Sequence, residues 1–281
     1  VLAVVLPLAA WAEVPCGELR QIELPDAAVT SAEMVAEGAF RAPGTRDGAA
    51  GPMVPAHCRV AMTLTPTADS DIRVEVWLPV AEEWNGKYLG VGGGGFVGSL
   101  NYGGLAGGVR EGYATASTDT GHQGPGAEFA LGHPEKVVDF AYRAVHEMTV
   151  KAKAIIRAYY GRGPRLSYWT GCSTGGRQGL MSAQRYPEDY DGIVASAPAN
   201  NQIRLCAWRF ALHSAVVRDP ARAIPQGKLE MLNRAVMEAC DGLDGVKDGL
   251  LSDPRACRFD PAALLCRGAD GEDCLTAAQV E

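Results

Sequence analysis

A serine flanked by glycines lies at the junction of a predicted strand and a predicted helix. Residues 169–187 read WTGCSTGGRQGLMSAQRYP and place Ser173 in a Gly-X-Ser-X-Gly pattern. A strand is predicted over 165–170, a helix from the serine to Pro187, and another buried strand over 190–199. This succession is the context of a nucleophile elbow, which lifts its serine above the edge of a sheet.

The chemistry available to such a serine depends on its neighbours. Because a serine hydroxyl is a weak nucleophile until a base takes its proton, Ser173 needs partners before it can react. The amide of Thr174, at the start of the following helix, is expected to point at the place where a negatively charged oxygen would form. The alternative is an ordinary glycine-rich turn that carries a solvated serine.

A second glycine-rich stretch, YLGVGGGGFVGS over 88–99, follows a predicted strand and contains four consecutive glycines. Glycines leave backbone amides accessible, and an elbow serine needs a second amide donor from the loop after an earlier strand. We expect Gly94 or Gly95 to provide it. A dinucleotide-binding loop is disfavoured, because residues 96–98 continue as loop where such a motif would open a helix.

The pattern along the chain predicts an α/β fold. Residues 71–79 alternate clearly, with Ile72, Val74, Val76 and Leu78 on one face. Strands alternating with helices imply a mostly parallel sheet with flanking crossover helices. The further predicted strands cover 58–66, 87–91 and 112–119, and a helix is predicted over 137–161 with Gly161 at its end.

The pattern changes near residue 199, and this change sets the predicted domain organisation. We assign residues 13–198 to the core, of which 16–57 are mostly loop, and residues 199–281 to the start of an inserted lid. The lid segment begins with a predicted helix, and the rest of it is loop rich in Asp, Gly and Cys.

None of the histidines is a convincing base for Ser173. In folds with this elbow the chain order is serine, then the acid, then the histidine. The chain has five histidines, and only His213 follows the serine, where apolar neighbours suggest a packed side chain. His122, in STDTGHQG, lies at a strand end and could line the site, but it precedes the serine. We therefore expect the acid and the histidine to lie beyond Glu281, in a chain truncated at its C-terminus.

The composition limits the partners and the compartment. A net charge of −7 argues against nucleic acid, which requires clustered Lys and Arg. No interior run approaches the roughly 18 apolar residues of a membrane span.

Residues 1–12, VLAVVLPLAAWA, resemble a signal peptide clipped at its start, although a buried strand or helix is the alternative. An exported protein, secreted or periplasmic, is expected to oxidise many of its eight cysteines, whose spacing leaves about a hundred pairings open.

An acidic stretch, CDGLDGVKDGLLSDPRAC over 240–257, places Asp241, Asp244 and Asp248 among glycines. Carboxylates this close repel one another unless a cation or water separates them, and hard oxygen ligands suit calcium. The spacing differs from that of an EF-hand. A solvated acidic turn is the alternative.

Four stretches together, 171–199, 91–99, 117–124 and 240–257, resemble the tannase and feruloyl esterase family, which also includes a mono(2-hydroxyethyl) terephthalate hydrolase. The resemblance implies an α/β-hydrolase core with an inserted lid. It also implies hydrolysis of carboxylic esters of aromatic acids, such as plant polyphenols or cell-wall esters, through an acyl-enzyme on Ser173 with Thr174 as an oxyanion donor. The alternatives are another esterase or lipase of this fold, and a non-catalytic binding module stabilised by calcium.

The same resemblance assigns the metal and the disulfides. It implies a structural calcium bound by the carboxylates of Asp241, Asp244 and Asp248 and by the carbonyls of Val246 and Leu250. It pairs Cys16 with Cys58, Cys240 with Cys257 and Cys266 with Cys274. It leaves Cys172 without its usual partner, so a free thiol is expected there. Cys206 lacks an obvious partner, and we interpret it as a buried apolar residue on the first lid helix.

Overall fold

The structure is a computed structural model that describes residues 14–43, 53–96 and 98–281. The predicted signal peptide, residues 1–12, lies outside the described residues. The chain divides into two compact units, one ending at Asn200 and the other spanning Asn201–Glu281. This division falls two residues after the boundary expected from the sequence.

The first unit contains one seven-stranded sheet in its described part, with strand order β1-β2-β3-β5-β4-β6-β7. Strands β4 to β7 run parallel to one another, and β1 to β3 form an antiparallel meander that joins β5. The predicted mostly parallel sheet is therefore confirmed, and it carries an antiparallel extension. The strands are β1 (Ala27–Val35), β2 (His57–Leu64), β3 (Ile72–Pro79), β4 (Lys87–Val91), β5 (Ala114–Thr118), β6 (Leu166–Cys172) and β7 (Gly192–Ser196).

Helices flank this sheet and also form the second unit. The first unit contains α1 (Tyr102–Arg110), α2 (Pro134–Val138), α3 (Ala144–Tyr160) and α4 (Thr174–Arg185), and a π-helical turn, Asp139–Arg143, joins α2 to α3. The second unit contains α5 (Gln202–Arg218), α6 (Gln226–Cys240) and α7 (Ala277–Val280). None of the helices in the described part of the chain could span a lipid bilayer.

Side-chain alternation on β3 explains why the sheet has a core on each face. The four predicted inward residues of 71–79 are all buried in the larger core, together with α3. Trp77 points to the opposite face and packs with Leu105 and Val109 of α1. Because successive side chains of a strand point to opposite faces, the four apolar residues pack on the α3 side while Trp77 packs on the α1 side.

Three elements differ from the prediction. Strand β1 lies in the stretch predicted as loop, and its half-exposed residues pair with β2. Helix α1 was not predicted because its sequence, YGGLAGGVR, is almost half glycine. One of these glycines is required by packing, since a Cβ at Gly108 would overlap the Thr115 methyl group of β5. Helix α6 replaces predicted loop in the second unit.

The cysteines form the three bridges that the resemblance implied: Cys16–Cys58, Cys240–Cys257 and Cys266–Cys274. Cys172 is a free and exposed thiol. The prediction that Cys206 is buried is wrong, because the side chain is partly exposed. Its sulfur accepts a hydrogen bond from Gln202 Nε2 at 3.6 Å. Its helix, α5, contributes no buried residue within the described chain.

Candidate active site

Ser173 has a strained backbone, with φ 58° and ψ −117°. Residues other than glycine adopt positive φ rarely, at a cost on the order of 1–3 kcal/mol, and they keep it only where surrounding contacts enforce it. Those contacts are present here. The Ser173 amide donates to the Ser196 carbonyl at 3.1 Å, and the Ser173 carbonyl accepts from the Arg177 and Ala199 amides at 3.1 and 2.9 Å. The serine is therefore held in an elbow between β6 and α4.

The Ser173 side chain is left available by this arrangement. A serine at a helix N-cap usually accepts a hydrogen bond from the first turn, but Ser173 makes no such bond to α4. The residue is exposed, whereas the next residue, Thr174, is 4% exposed. The hydroxyl can therefore face a ligand instead of stabilising its own helix.

The glycines around the elbow are required by close backbone approach. A Cβ on Gly171 would lie 2.5 Å from the Gly175 carbonyl carbon and oxygen. A Cβ on Gly92, at the end of β4, would lie 2.6 Å from the Gly175 Cα. At Gly171 and Gly92 the elbow region packs backbone against backbone, and a side chain at either position would prevent this approach.

The glycine loop, residues 92–95, lies beside the elbow because β4 and β6 are parallel neighbours. The carboxyl ends of parallel strands meet at the same edge of a sheet, and the Gly92 amide donates to the Thr170 carbonyl at 2.9 Å. Thr174 Oγ1 donates to the Gly95 carbonyl at 2.8 Å. The loop and the first turn of α4 are thus joined directly.

Three amides near the serine are unpaired within the described residues. As the first residue of α4, Thr174 has no acceptor inside the helix for its amide, and no other described group accepts from it. The Gly94 and Gly95 amides also have no acceptor among the described residues, whereas the Gly93 amide donates to Gln178 Oε1 at 3.2 Å. These are the donors that the sequence predicted for an oxyanion.

A cavity of about 830 Å³ opens over this arrangement. Ser173, Gly94 and Gly95 all line it, and Thr174 lies buried just below. The other side of the cavity is formed by the N-terminus of α1, including Tyr102. The structure therefore brings the predicted nucleophile and glycine loop together around one space.

Asn101, which no sequence motif indicated, joins the glycine loop to α1 and β5. Its Nδ2 donates to the Gly92 carbonyl at 2.8 Å, and its Oδ1 caps α1 by accepting the Gly104 amide at 2.9 Å. Its own amide donates to Ser117 Oγ at 2.9 Å. Asparagine is a common N-cap, so recognising α1 in the sequence would have identified this residue.

No histidine among the described residues lines the cavity. His122 is buried outside it, with Nε2 2.6 Å from the Phe96 carbonyl oxygen. His146 and His133 pair with Asp189 and Asp69. The prediction that His213 is packed is wrong, because α5 has no buried face and this histidine is exposed. His57 is buried with Nδ1 2.7 Å from the Pro55 carbonyl oxygen.

Asp119 is buried at the end of β5, outside the cavity. Its Oδ1 accepts the Arg73 and Gly121 amides, each at 2.9 Å. Burial raises the pKa of this carboxyl to about 7, although both amides favour the charged form. A raised pKa is typical of catalytic acids, but the position and contacts of Asp119 are those of a residue that shapes a turn.

The predicted calcium loop consists of linked turns in which side-chain oxygens accept nearby amides. Asp241 Oδ1 accepts from the Gly249 amide, and Asp244 Oδ1 and Asp248 Oδ1 accept from amides two residues on, all within 3.1 Å. Asp244 Oδ2 accepts from Ser252 Oγ at 2.6 Å, and this bond lowers the pKa of Asp244. The second oxygens of Asp241 and Asp248 have no partner among the described residues and could serve as hard ligands.

These carboxylates are not gathered as tightly as ligands of a bound ion. Among the described residues, only Cys266, Asp270 and Cys274 bring three such ligand atoms within 4.8 Å of one another. That group is not a metal site, because its two cysteines form a disulfide. The donor chemistry of the loop fits calcium, and binding would have to draw its carboxylates closer together.

Comparison with known proteins identifies relatives of the chain. An uncharacterized esterase of Xanthomonas campestris pv. campestris is 42% identical over 275 residues, covering 97% of this chain and 47% of that protein. A probable feruloyl esterase B-2 of Aspergillus flavus is 39% identical over 227 residues, covering 80% of this chain and 43% of that protein. The chain thus spans about half the length of the curated relatives it matches.

Solved structures and a family model agree with these relatives. The crystal structure of feruloyl esterase B from Aspergillus oryzae matches with a TM-score of 0.81 at 35% identity, covering 94% of this chain and 54% of that one. This similarity confirms the predicted α/β-hydrolase fold. The family model described as tannase and feruloyl esterase matches residues 58–281, which is most of the chain. The chain belongs to the tannase and feruloyl esterase family.

Proposed function

We propose that the protein is a serine carboxylic-ester hydrolase that acts on esters of aromatic acids of the feruloyl or galloyl type. The observation that carries the proposal is the strained Ser173, whose side chain lies at a cavity beside the Thr174, Gly94 and Gly95 amides, which have no acceptor among the described residues. A serine nucleophile next to preorganised amide donors is the arrangement that acyl transfer requires. Family membership supports the same reaction class.

The reaction proceeds through an acyl-enzyme. A base takes the Ser173 proton as Oγ attacks the ester carbonyl carbon, and the carbonyl oxygen becomes an oxyanion held by the amides of Thr174 and of Gly94 or Gly95. Collapse of this intermediate breaks the bond to the alcohol, which leaves with the proton. Water then attacks the acyl-serine, releasing the aromatic acid and restoring the hydroxyl. None of the described histidines lines the cavity, so none of them is assigned as this base.

The cavity suits a small aromatic ester. Its volume of about 830 Å³ lies within the range of roughly 300–1,000 Å³ typical of small-molecule sites. Apolar side chains, Val91, Leu100 and Tyr102, contribute to its wall alongside the glycine loop. We propose plant polyphenols or cell-wall esters as natural sources of such substrates.

A substrate series tests the proposal in the complete protein. We expect kcat/KM for methyl ferulate or methyl gallate to exceed that for p-nitrophenyl octanoate by at least about tenfold, after correction for leaving-group reactivity. A preference for long acyl chains would indicate a lipase-like enzyme instead. Failure of a fluorophosphonate probe to label Ser173 would favour the non-catalytic binding module.

We propose an oxidising compartment, secreted or periplasmic, for this protein. Three disulfides in the described residues support this, because such bridges persist outside the reducing cytosol. Fractionation of the source cells tests the assignment. Recovery of the protein in the cytosol with reduced cysteines would contradict it.

We also propose that calcium stabilises the second unit through Asp241, Asp244 and Asp248 and the carbonyls of Val246 and Leu250. The supporting observations are the second carboxylate oxygens of Asp241 and Asp248, which have no partner among the described residues, and the Cys240–Cys257 bridge, which closes the loop. A bound ion would offset the repulsion of these carboxylates and hold the turns together.

Metal removal is expected to lower stability measurably. Calcium at some thirtyfold its Kd should raise the free energy of unfolding by about 2 kcal/mol. EDTA should therefore lower the Tm by several degrees, and excess calcium should restore it. Asp248→Asn should weaken this response. Asp260→Asn, which changes an exposed aspartate outside the loop, is the matched control. Identical melting curves in EDTA and in calcium would refute the proposal.

A further inference from the structure

We propose that His122 is a positioning residue for the esterase reaction. In this view its Nε2–H group holds the Phe96 carbonyl and so fixes the glycine loop whose amides receive the oxyanion. The inference rests on the proposed function and extends it to a side chain that lies outside the cavity. It also assigns a role to the STDTGHQG stretch, which neither the nucleophile nor the oxyanion donors explain.

Two consecutive carbonyls at the end of the glycine loop are held by side chains from different elements. Thr174 Oγ1, on α4, donates to the Gly95 carbonyl at 2.8 Å. His122 Nε2, after β5, lies 2.6 Å from the Phe96 carbonyl oxygen. A carbonyl oxygen can only accept, so Nε2 carries the proton. Because peptide units are planar, holding two successive carbonyls fixes the orientation of the chain between them.

The start of the loop is held as well. The Gly92 amide donates to Thr170, and the Gly92 carbonyl accepts from Asn101 Nδ2 at 2.8 Å. The Gly94 and Gly95 amides remain unpaired between these two anchored ends, within the described residues. Donors that are fixed before the reaction stabilise a developing charge without reorganising, which is the source of their catalytic effect.

His122 is itself rigid enough to act as an anchor. The residue is 6% exposed, and its ring stacks on Phe129 at 3.8 Å between centroids. Phe140 lies edge-on to the ring at 5.8 Å. The turn before it is fixed by Asp119, whose Oδ1 accepts the Arg73 amide of β3 and the Gly121 amide of the turn itself. The turn passes through Gly121 at φ 89°. Its position therefore derives from β5 and from the aromatic packing.

The structure offers a closely matched control in His57. This histidine is also buried, its Nδ1 contacts a backbone carbonyl at 2.7 Å, and its ring stacks on Trp77 at 4.5 Å. Each of the two histidines also has one buried ring nitrogen without a partner among the described residues. His57 does not contact the glycine loop or line the cavity, so its replacement measures the cost of losing a buried imidazole alone.

The test compares variants of the complete protein by steady-state hydrolysis of methyl ferulate and by the rate of fluorophosphonate labelling. We expect His122→Phe to lower kcat and the labelling rate by about 10- to 100-fold, with KM changed less than about threefold, because the oxyanion donors act in the transition state. His122→Gln, whose amide nitrogen can take the place of Nε2, should recover part of kcat. His122→Asn, whose amide is too short to reach Phe96, should not. His57→Phe should lower Tm while kcat of the folded protein stays within about threefold of the wild-type value.

The outcomes separate the inference from the function on which it rests. A wild-type protein that neither labels nor hydrolyses esters refutes the proposed function. A reactive wild type whose kcat is unaffected by His122→Phe refutes only the positioning role. The Gln and Asn variants decide the question if the Phe variant does not fold. Equal kcat for these two variants would overturn the inference, since donation to Phe96 would then have no effect on catalysis.

Discussion

Replacing Ser173 with alanine is expected to lower ester hydrolysis by the complete protein about 10⁴- to 10⁶-fold, as loss of the nucleophile does in serine hydrolases. Stability should change little, because the side chain makes no capping bond to α4 and the backbone contacts of the elbow remain. Alanine also accommodates the positive φ no worse than serine does. Initial rates on methyl ferulate, together with thermal unfolding, measure both effects.

Two neighbours of the serine provide controls. Ser196→Ala removes another hydroxyl that lines the cavity, while its backbone carbonyl still accepts the Ser173 amide. Cys172→Ala removes the exposed thiol next to the serine, which is the other nucleophile at this position. We expect both variants to keep activity within about tenfold of the wild type. A Cys172→Ala variant as inactive as Ser173→Ala would contradict the assignment. It would mean that the thiol is the nucleophile or that the local fold depends on it.

The elbow was predictable because its requirements are local. A strand, a glycine on each side of the serine and a following helix are all readable within 20 residues or so of sequence. The glycine loop was predictable for a similar reason, as four glycines after a strand have few other uses. The structure adds the reason why both belong together. A Cβ on Gly92 would lie 2.6 Å from the Gly175 Cα, and this close approach depends on the pairing of β4 with β6.

The missed parts of the site depend on contacts between distant residues. Asn101 joins the glycine loop to α1 and to β5, but the glycines of α1 concealed the helix that it caps. His122 was considered as a lining residue, and its contact with Phe96 arises only after β5 packs beside β4. Strand β1 was missed because it is an edge strand with half-exposed residues, so its apolar alternation is weak.

One buried carboxylate at the α1 side of the sheet contacts three side chains, and no sequence pattern predicted that these side chains meet. Glu75, on β3, is 4% exposed and accepts from both Nε and Nη2 of Arg59 on β2. It also accepts from Trp77 Nε1 at 2.8 Å and from the Tyr102 hydroxyl at 3.2 Å. Burial, reinforced by the nearby carboxylate, raises the pKa of Tyr102 to about 12. Through Tyr102 this cluster supports one wall of the cavity.

Glu75→Ala should therefore destabilise the protein by about 3 kcal/mol, because it leaves a largely buried guanidinium and two donors without their acceptor. Glu33→Ala is the matched control, since Glu33 contacts the same Arg59 at 3.5 Å but is 59% exposed. An exposed pair of this kind contributes about 0–1 kcal/mol. Glu75→Gln should fall between the two, because the amide oxygen still accepts while the charge is lost. Urea unfolding of the three variants measures the order. A loss for Glu75→Ala no greater than that for Glu33→Ala would show that Arg59 finds solvent or Glu33 as a sufficient replacement, and that the α1 side of the cavity does not depend on this buried charge.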